Sequence, residues 1–413
     1  MEFDTLVLGA GIVGVSAALQ LQARDLGVCI VDRDEPGSGT SFGNAGLIER
    51  SSVIPYAFPR GFGRLLRYAM NGEPDVRYEP AFLPRIAGWL FRYWRNSNAQ
   101  NLRKATAAML PLVERCVEEH DALVARAQLE ALVSSRGWIE LYRDRDALAA
   151  GQREARALDG YGLDFDLLDA RALRALEPGL KDTVAGGVHW NDPKTVRDPG
   201  ALVRGYAALF ERGGGRIVRG DARTLTRDGS TWFVQTREGT VCAKDVVLAL
   251  GADSAEVYEP LGYRVPLAVK RGYHLHYRAP EGVMPQRPLC DVAGGYVLAP
   301  MNAGIRLTTG IEFAAPAAPA NRVQLQRAEA IARTLFDLGE PIEAEPWLGR
   351  RPCLPDMCPV IGPAPHHPGL WFDFGHAHHG LTLGPVTGRL IADLVTGAKP
   401  FTDPAPYSVA RFS

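Results

Sequence analysis

Three glycines near the start of the chain, spaced G-x-G-x-x-G, follow directly after a short apolar run at residues 3–8. They are Gly9, Gly11 and Gly14, and an acid, Asp32, ends the next apolar run. Both apolar runs predict buried parallel strands, and the residues between them have helical periodicity. In such a unit the glycines permit a tight turn, let the backbone approach a pyrophosphate and let the helix pack close to the strand. The spacing therefore predicts a dinucleotide site, and Asp32 favours an unphosphorylated ribose, as in FAD or NAD.

Length and charge narrow the class of protein further. At 413 residues the chain exceeds the usual size of a single core, so we expect two domains. The net charge of −1 offers no basic excess for binding nucleic acid. No apolar run approaches the ~20 residues that a membrane-spanning helix needs. The first residues also lack the basic start and cleavage site of a signal peptide. We therefore expect a soluble cytoplasmic protein.

One segment leaves peripheral membrane association at the inner face of the membrane open. Residues 80–94 are rich in aromatic and aliphatic side chains and also contain Arg85 and Arg92. A basic amphipathic helix of this kind can lie in a membrane interface. The same stripe is also typical of core packed between two domains, which is the simpler expectation.

A second glycine-rich turn, at residues 375–380, lies near the other end of the chain between an apolar run and a helical segment. Pieces from both ends would then build one sheet, and a large flavin enclosed by both fits this arrangement better than a nicotinamide. We predict a mixed α/β fold with a discontinuous Rossmann-like FAD-binding domain and an inserted substrate domain built on an antiparallel sheet. The predicted FAD-binding domain comprises residues 1–80, 155–255 and 340–413, and the substrate domain comprises residues 81–154 and 256–339.

Further motifs follow in a fixed order along the chain. They are T-S-F-G-N-A-G at 40–46, V-V-L-A-L-G-A-D-S at 246–254, a segment with R-P-C-L-P-D at 349–362, and the glycine-rich segment 375–388. With the opening glycines, they resemble the D-amino acid oxidase/dehydrogenase family of FAD enzymes, which also contains glycine oxidase. The likeness is strongest to the bacterial D-amino acid dehydrogenase branch, and it covers nearly the whole chain.

This resemblance implies which residues bind the cofactor. The opening glycines and Asp32 would bind the ADP half, and the Thr40 and Ser41 hydroxyls would lie at the pyrophosphate and ribityl chain. Backbone N–H groups of the last motif would lie near the flavin N1/O2 edge, where negative charge develops on reduction. The full implied set is Gly9, Ala10, Gly11, Ile12, Val13, Gly14, Asp32, Arg33, Thr40, Ser41, Asn44, Ala45, Gly46, Gly251, Gly375, Gly380, Leu381 and Thr382.

The resemblance also suggests how a substrate carboxylate is bound. Arg351 would grip it bidentately. In the oxidase branch a second arginine follows a Tyr-x-x-x-Pro strand, but here Met301 takes that place. The second carboxylate ligand is therefore missing or comes from elsewhere, with Arg306 and Arg197 as possibilities. Relatives with covalent flavin carry a cysteine where this chain has Gly349, so we expect non-covalent FAD.

The other candidate catalytic residues are Tyr273, His376 and His379. Tyr273 and His274 lie on a strand that relatives place beside the substrate, and only one of the two can point inwards. His376 or His379 would polarise the flavin or line the pocket. We expect no metal there, because no Cys, Asp or Glu cluster accompanies these histidines in the sequence. Tyr56 could close the pocket or belong to the core.

The chemistry implied is FAD-dependent oxidation of the Cα–N bond of a D-amino acid or cyclic imino acid, such as D-proline or hydroxy-D-proline. Hydride would pass to flavin N5 and leave an imine or keto acid. The electrons would go on to a quinone, a partner protein or oxygen. The alternatives are glycine- or sarcosine-type amine oxidation, a non-catalytic flavin subunit of a larger complex, and an NAD-linked dehydrogenase.

Overall fold

The computed structural model describes residues 1–280 and 283–412. Apolar runs of five to seven residues form its central strands, and amphipathic segments form the helices that cover them. In chain order the strands are β1 Glu2–Leu8, β2 Val28–Asp32, β3 Leu47–Ile48, β4 Val76–Tyr78, β5 Val133–Ser134, β6 Trp138–Tyr142, β7 Phe165–Asp169, β8 Gly186–Trp190, β9 Lys194–Val196, β10 Arg216–Asp228, β11 Thr231–Thr236, β12 Gly239–Leu248, β13 Ala268–Tyr277, β14 Leu289–Asp291, β15 Tyr296–Met301, β16 Gly304–Thr308, β17 Ile311–Phe313, β18 Trp347–Cys353, β19 Val360–Pro363 and β20 Leu370–Phe374. The α-helices are α1 Ile12–Gln22, α2 Phe62–Ala69, α3 Leu83–Asn96, α4 Ala99–Ala127, α5 Arg145–Arg156, α6 Ala170–Leu176, α7 Pro199–Arg212, α8 Ala255–Tyr258, α9 Val323–Leu335 and α10 Gly380–Val395.

The first sheet has seven strands taken from both ends of the chain and from its middle. Its parallel centre runs β10–β2–β1–β12–β20, β19 pairs antiparallel with β20, and β11 pairs antiparallel with β10 and β12. The carboxyl ends of β1, β2, β12 and β20 therefore meet at one edge. In a doubly wound sheet, this is the edge where ligands bind.

Two helices from opposite ends of the chain, α1 and α10, pack closely on this sheet. A Cβ added to Gly384 would lie 3.0 Å from Ile12, and one added to Gly388 would lie 2.8 Å from the backbone of Ser16 and Ala17. These two glycines of α10 are four residues apart and so lie on one helix face. The close approach fixes the C-terminal segment beside the glycine motif.

The second sheet has ten strands in the order β4–β17–β13–β16–β15–β14–β6–β8–β7, with β18 also paired to β13. Helix α9 covers it over a core that includes Leu275, Leu298 and Leu335. The two sheets together make the mixed α/β fold that the sequence predicted. A small third sheet, β3–β9–β5, lies between the segments of the two large ones.

The sheets divide the chain at points different from the predicted domain limits. Strands β7, β8 and β18 lie within the segments assigned to the FAD-binding domain, yet they hydrogen-bond in the ten-stranded sheet. Alternating and apolar runs predict that a strand forms, but they do not specify which distant strand it pairs with. The predicted boundaries between two independent domains therefore stay a prediction.

The aromatic segment at residues 80–94 forms most of α3. Its Ile86, Trp89 and Tyr93 are buried in a cluster with Phe313 and Cys353. The core-packing interpretation therefore accounts for one face of this helix. None of the described helices is long and apolar enough to cross a bilayer.

Candidate active site

A cavity of about 660 Å³ lies at the carboxyl edge of the first sheet and extends to the second. Its walls include most of the residues singled out in the sequence. Those lining it are Gly9, Ala10, Gly11, Ile12, Val13, Asp32, Arg33, Thr40, Ser41, Asn44, Ala45, Gly251, Tyr273, Arg351, His376, His379, Gly380 and Leu381. Four predicted cofactor residues, Gly14, Gly46, Gly375 and Thr382, are not among the lining residues.

The glycine motif makes one end of the cavity. Gly9 has φ +114°, and a Cβ there would lie 2.5 Å from the carbonyl oxygen of Ala249. A Cβ on Gly14 would lie 1.9 Å from the Gly9 carbonyl oxygen. Gly14 is thus required for α1 to approach β1, which explains why it does not itself reach the cavity.

The N-terminus of α1 faces this end of the cavity with unsatisfied donors. The Ile12 N–H donates to Ser41 Oγ at 3.0 Å. The Gly11 N–H donates to no acceptor among the described residues. Free N–H groups and the positive end of the helix dipole suit a phosphate.

Asp32 holds the end of β2 against the glycine loop. Its Oδ2 accepts a hydrogen bond from the Ala10 N–H at 2.6 Å, and its Oδ1 accepts one from the Asp34 N–H at 2.9 Å. Each carboxylate oxygen retains a further lone pair for a ribose hydroxyl. Arg33, one residue on, forms an ion pair with Asp253, which also pairs with Arg350.

The loop at residues 40–46 is held from behind by a buried arginine. Arg306 Nη1 donates to the carbonyl oxygens of Phe42 at 3.0 Å and Asn44 at 2.5 Å. Its Nε donates to His276 Nε2 at 2.9 Å, and His276 Nδ1 in turn donates to Glu343 at 2.6 Å. Arg306 is therefore used in fixing the loop, and it does not line the cavity.

Asn44 and Gly46 complete the turn at the end of that loop. The Gly46 N–H donates to Asn44 Oδ1 at 2.8 Å. Gly46 has φ +77°, and a Cβ there would lie 2.2 Å from the Val196 carbonyl oxygen. Arg197, the other arginine considered for the carboxylate, is exposed and outside the cavity. Neither Arg306 nor Arg197 lines the cavity, so neither possibility for the second carboxylate ligand finds support here.

The turn at residues 375–382 brings α10 to the cavity. Gly375 has φ +87° and packs its backbone against Leu354. The Thr382 hydroxyl donates to the Leu47 carbonyl at 3.2 Å and accepts from the Glu49 N–H at 3.1 Å. Both residues position the loop, while Gly380 and Leu381 form the wall.

Two cations line the opposite end of the cavity. Arg351 Nη1 donates to the Gly310 carbonyl at 2.7 Å, and Lys270 Nζ lies 4.2 Å from the centre of the Tyr93 ring. Within the part of the chain that the structure describes, neither forms an ion pair with a carboxylate. Burial lowers the pKa of both side chains. Sequence reasoning missed Lys270 as a site residue, although it is the first residue of a K-R-G segment beside Tyr273.

Tyr273 rather than His274 lines the cavity, but its hydroxyl points into a buried network. The hydroxyl donates to Glu312 at 2.6 Å and accepts from Arg271 at 2.8 Å. His274 stacks on Trp347 instead, with ring centres 4.9 Å apart. The network already occupies the hydroxyl of Tyr273. Contact between Tyr273 and a substrate stays a prediction.

The histidines of the last motif point in different directions. His376 Nε2 lies 3.0 Å from Thr387 Oγ1 and 3.4 Å from Asp373, away from the cavity centre. His379 Nδ1 lies 3.4 Å from Glu49 Oε2. The ring of His378 packs on that of His379 at 3.8 Å.

One premise about these histidines is wrong, because an acid does accompany them. Glu49, His378 and His379 each offer a ligand atom, and these atoms lie within 4.8 Å of one another. Glu49 is 329 residues from His378 in the sequence, so only the fold brings them together. The prediction that no metal binds here stays untested.

These observations agree with a bound flavin dinucleotide. Cradling glycines, free helix N–H groups and Asp32 suit the ADP half, and the 40–46 loop continues the wall towards the cationic end. The fold and the site thus define a dinucleotide-binding α/β protein with two cationic side chains at the far end of the same cavity.

The chain belongs to the FAD dependent oxidoreductase family, whose sequence profile matches residues 4–394. This confirms the resemblance that the motifs indicated, together with FAD as the cofactor and oxidoreduction as the class of reaction. A D-amino acid dehydrogenase of Cereibacter sphaeroides is 31% identical over 99% of this chain and 95% of its own length. A D-amino-acid oxidase of Bradyrhizobium diazoefficiens is 29% identical over 98% of both chains.

Solved structures show the same fold. Glycine oxidase from Geobacillus kaustophilus superposes with a TM-score of 0.74 at 22% identity, covering 99% of both chains.

Proposed function

We propose that this protein oxidises the Cα–N bond of D-amino acids, cyclic ones included, using non-covalently bound FAD. The observation that carries the proposal is the pair of cations, Lys270 and Arg351, without a carboxylate partner at the far end of the cofactor cavity. The relatives named D-amino acid dehydrogenase and D-amino-acid oxidase support the substrate class.

The two cations act by binding the substrate carboxylate. Arg351 presents a planar guanidinium suited to bidentate hydrogen bonds, and Lys270 adds a second positive charge beside it. Bound FAD supplies a hydride acceptor for the substrate Cα–H. Burial of the site strengthens the charge interactions that orient the substrate.

The backbone around Gly349 supports non-covalent attachment of the flavin. A Cβ at Gly349 would lie 2.4 Å from the Trp347 ring, so the ring would have to shift before a cysteine could stand there. Cys353 lines the cavity, but it is buried in the cluster with Trp89 and Tyr93. Acid precipitation of the purified protein is expected to leave all flavin in the supernatant. Flavin retained in the pellet would contradict this part of the proposal.

An anaerobic absorption spectrum tests the reaction class. The panel comprises D-alanine, D-proline, hydroxy-D-proline, glycine, sarcosine and the L-enantiomers. We expect the oxidised flavin band to bleach with D-enantiomers and not with L-enantiomers. Bleaching by glycine or sarcosine alone would move the assignment to that type of amine oxidation. A flavin that none of them bleaches would contradict the proposal and favour a non-catalytic subunit.

We further propose a membrane quinone as electron acceptor, reached from the surface of α2. Its exposed Phe62, Leu66 and Met70 recur every four residues and so form one apolar stripe. Arg64 and Arg67 on the same helix are exposed and suit anionic lipid. The proposal is supported by Tyr68 of the same helix, which lines the cavity.

Co-sedimentation with vesicles tests the membrane contact. Wild-type protein is expected to bind vesicles that contain anionic lipid, and the variant Phe62→Ser/Leu66→Ser is expected to lose binding while keeping its flavin spectrum. Equal binding of both proteins, or none by either, would contradict the proposal. Oxygen consumption that matches substrate oxidation would favour an oxidase.

A further inference from the structure

Glu49 is a buried carboxylate on the wall of the cavity that the sequence did not single out. It follows β3 directly, and its main-chain N–H donates to the Thr382 hydroxyl at 3.1 Å. Strand β3 is itself paired to β9. The side chain, only 12% exposed, is therefore held in place from two sides.

The contacts of the Glu49 carboxylate leave one oxygen without a partner. Ser52 Oγ donates to Oε2 at 2.7 Å, and His379 Nδ1 lies 3.4 Å from the same oxygen. Among the described residues, Oε1 accepts no hydrogen bond, and Glu49 is one of the residues that line the cavity. His379 Nδ1 is likewise buried without a hydrogen-bond partner.

Among the described residues, no lysine or arginine forms an ion pair with Glu49. Burial raises its pKa to about 7, and Glu140 adds to the rise against the effect of the Ser52 hydrogen bond. Burial lowers the pKa of His379 to about 4, so His379 is neutral near pH 7. The titratable and charged groups around Glu49 are Glu140 on β6, Cys290 on β14, Cys116 on α4, Arg50, Tyr56, His378 and His379.

Among the described residues, Lys270 and Arg351 line the cavity without a carboxylate partner, and Glu49 lines it without a Lys or Arg partner. An amino acid zwitterion has the complementary charges. We propose that Glu49 receives the α-ammonium group of the substrate whose carboxylate binds Arg351 and Lys270, and that it removes one proton from that group. The inference rests on the proposed function and names a further catalytic residue for it.

The proton and electron balance of the step is as follows. The ammonium group, –NH3⁺, gives one proton to the Glu49 carboxylate and becomes a neutral amine. The amine lone pair then forms the C=N bond as the Cα–H leaves with its electron pair for oxidised FAD. The product is the iminium, –C(=NH2⁺)–, and the proton remains on Glu49 until it returns to solvent.

A metal ion is the alternative to an ammonium group at Glu49. Glu49, His378 and His379 could provide three ligands. Lys270 and Arg351 both lower the pKa of His378, after burial and His379, and the same positive field opposes a divalent cation. The ammonium group of an amino acid avoids this repulsion, because the carboxylate of the same molecule balances its charge.

Rapid anaerobic mixing of the holoenzyme with D-alanine tests the proton transfer. Glu49→Gln is expected to keep its flavin spectrum but to be reduced about 100-fold more slowly near neutral pH, the usual loss when a general base is removed. The wild-type rate is expected to fall as the pH drops through the pKa of Glu49. In Glu49→Gln this inflection is expected to vanish, and the rate to recover only where the free substrate itself loses its ammonium proton.

Two further variants separate a catalytic role from a structural one. Glu49→Asp is expected to restore part of the rate and the inflection, because it keeps the carboxylate. Glu140→Gln removes a neighbouring buried carboxyl that hydrogen-bonds Tyr142 and lies outside the cavity lining. It is expected to keep the wild-type reduction rate above the pKa of Glu49.

Calorimetry with unreactive ligands tests the ammonium contact independently of turnover. The probes are 2-aminoisobutyrate, which has an ammonium group but no Cα–H, and isobutyrate, which lacks the ammonium group. Glu49→Gln is expected to bind 2-aminoisobutyrate about tenfold more weakly, the order of one hydrogen bond to a charged group. Its affinity for isobutyrate is expected to be unchanged.

The outcomes separate the two proposals. If D-amino acids do not reduce the wild-type flavin, the proposed function fails. If they reduce wild type and Glu49→Gln at the same rate with the same pH profile, the role of Glu49 fails while the function stands. Stoichiometric zinc in the purified protein, with reduction abolished by a chelator, would overturn the ammonium site in favour of a metal.

Discussion

Lys270 and Arg351 face each other directly across the antiparallel pair β13–β18, and both side chains reach the same cavity. Like charges in this position destabilise a strand pair. Burial of both groups adds to the penalty, and lowers the pKa of each. An anion bound between them relieves the repulsion, so the arrangement costs stability in the empty protein and gains affinity in the occupied one.

Removing one of these charges is expected to stabilise the protein without ligand. Lys270→Met keeps the packing on Tyr93 and Trp89 but removes the repulsion, which should raise the free energy of unfolding by about 0.5–1 kcal/mol. The variant is also expected to bind isobutyrate more weakly. Urea unfolding and calorimetry measure the two effects, with the exposed Lys399→Met as control. A less stable Lys270→Met would contradict the account of the pair.

The third glycine of the opening motif offers a test of the cofactor cradle. Gly14→Ala places a methyl group 1.9 Å from the Gly9 carbonyl oxygen, so α1 must move away from the loop. We expect a loss of about 1–3 kcal/mol of stability, as for other overpacked positions, together with poor retention of FAD. Gly39→Ala is the matched control, because Gly39 also lines the cavity and its Cβ would meet nothing within 4 Å. Equal FAD content in both variants would refute the prediction.

Arg306 is expected to act on cofactor affinity through the loop at residues 40–46. Arg306→Met leaves the carbonyl oxygens of Phe42 and Asn44 without their donor, at about 1–3 kcal/mol for each buried group. Titration of the apoprotein with FAD, followed by flavin fluorescence, should show a Kd at least tenfold higher than that of wild type. Arg171→Met, an exposed substitution on α6, controls for loss of charge. An unchanged Kd would show that the loop keeps its conformation without Arg306.

His120 should make stability depend on pH in the acid range. It is fully buried between the Leu381 carbonyl and the Tyr206 hydroxyl, and burial lowers its pKa to about 4. The unfolded chain, with an ordinary histidine pKa of about 6.5, binds a proton between these values that the folded protein does not. Stability is therefore lost as the pH falls from about 6.5 to 4, with a slope of up to about 1.4 kcal/mol per pH unit from this residue.

Thermal unfolding over that pH range measures the slope. His120→Gln is expected to reduce the slope of stability against pH by the contribution of one proton. His366→Gln, at an exposed position, should leave the slope as in wild type. Equal slopes of stability against pH in all three proteins would mean that His120 is not the group that causes the loss of stability.

The cofactor end of the site could be predicted from the sequence because its geometry is local. Gly9, Gly14 and Asp32 lie within one strand–helix–strand unit, where spacing alone determines the arrangement. The later motifs added the 40–46 loop and the turn before α10. Their individual contacts could not be predicted, since Thr382 turns its hydroxyl to β3 and Gly375 packs on Leu354.

The substrate end depends on pairings between distant segments. Lys270 meets Arg351 only through the register of β13 and β18, and Glu49 meets His379 only because α10 packs beside β3. Periodicity predicts that these strands form but not which strands pair, and a shift of one residue in either strand would turn its cation away from the cavity. The same limit explains why the sequence did not show that β7, β8 and β18 pair in the ten-stranded sheet.

The interleaving of the first sheet also has a consequence for synthesis on the ribosome. The glycine motif is translated well before its supporting partners β20 and α10. Until residue 395 has been released, the edge of β12 that pairs with β20 is open, and one face of α1 has no neighbour. We therefore expect the nascent chain to lack a complete flavin site until α10 has been synthesised, and to expose an unpaired strand edge until then.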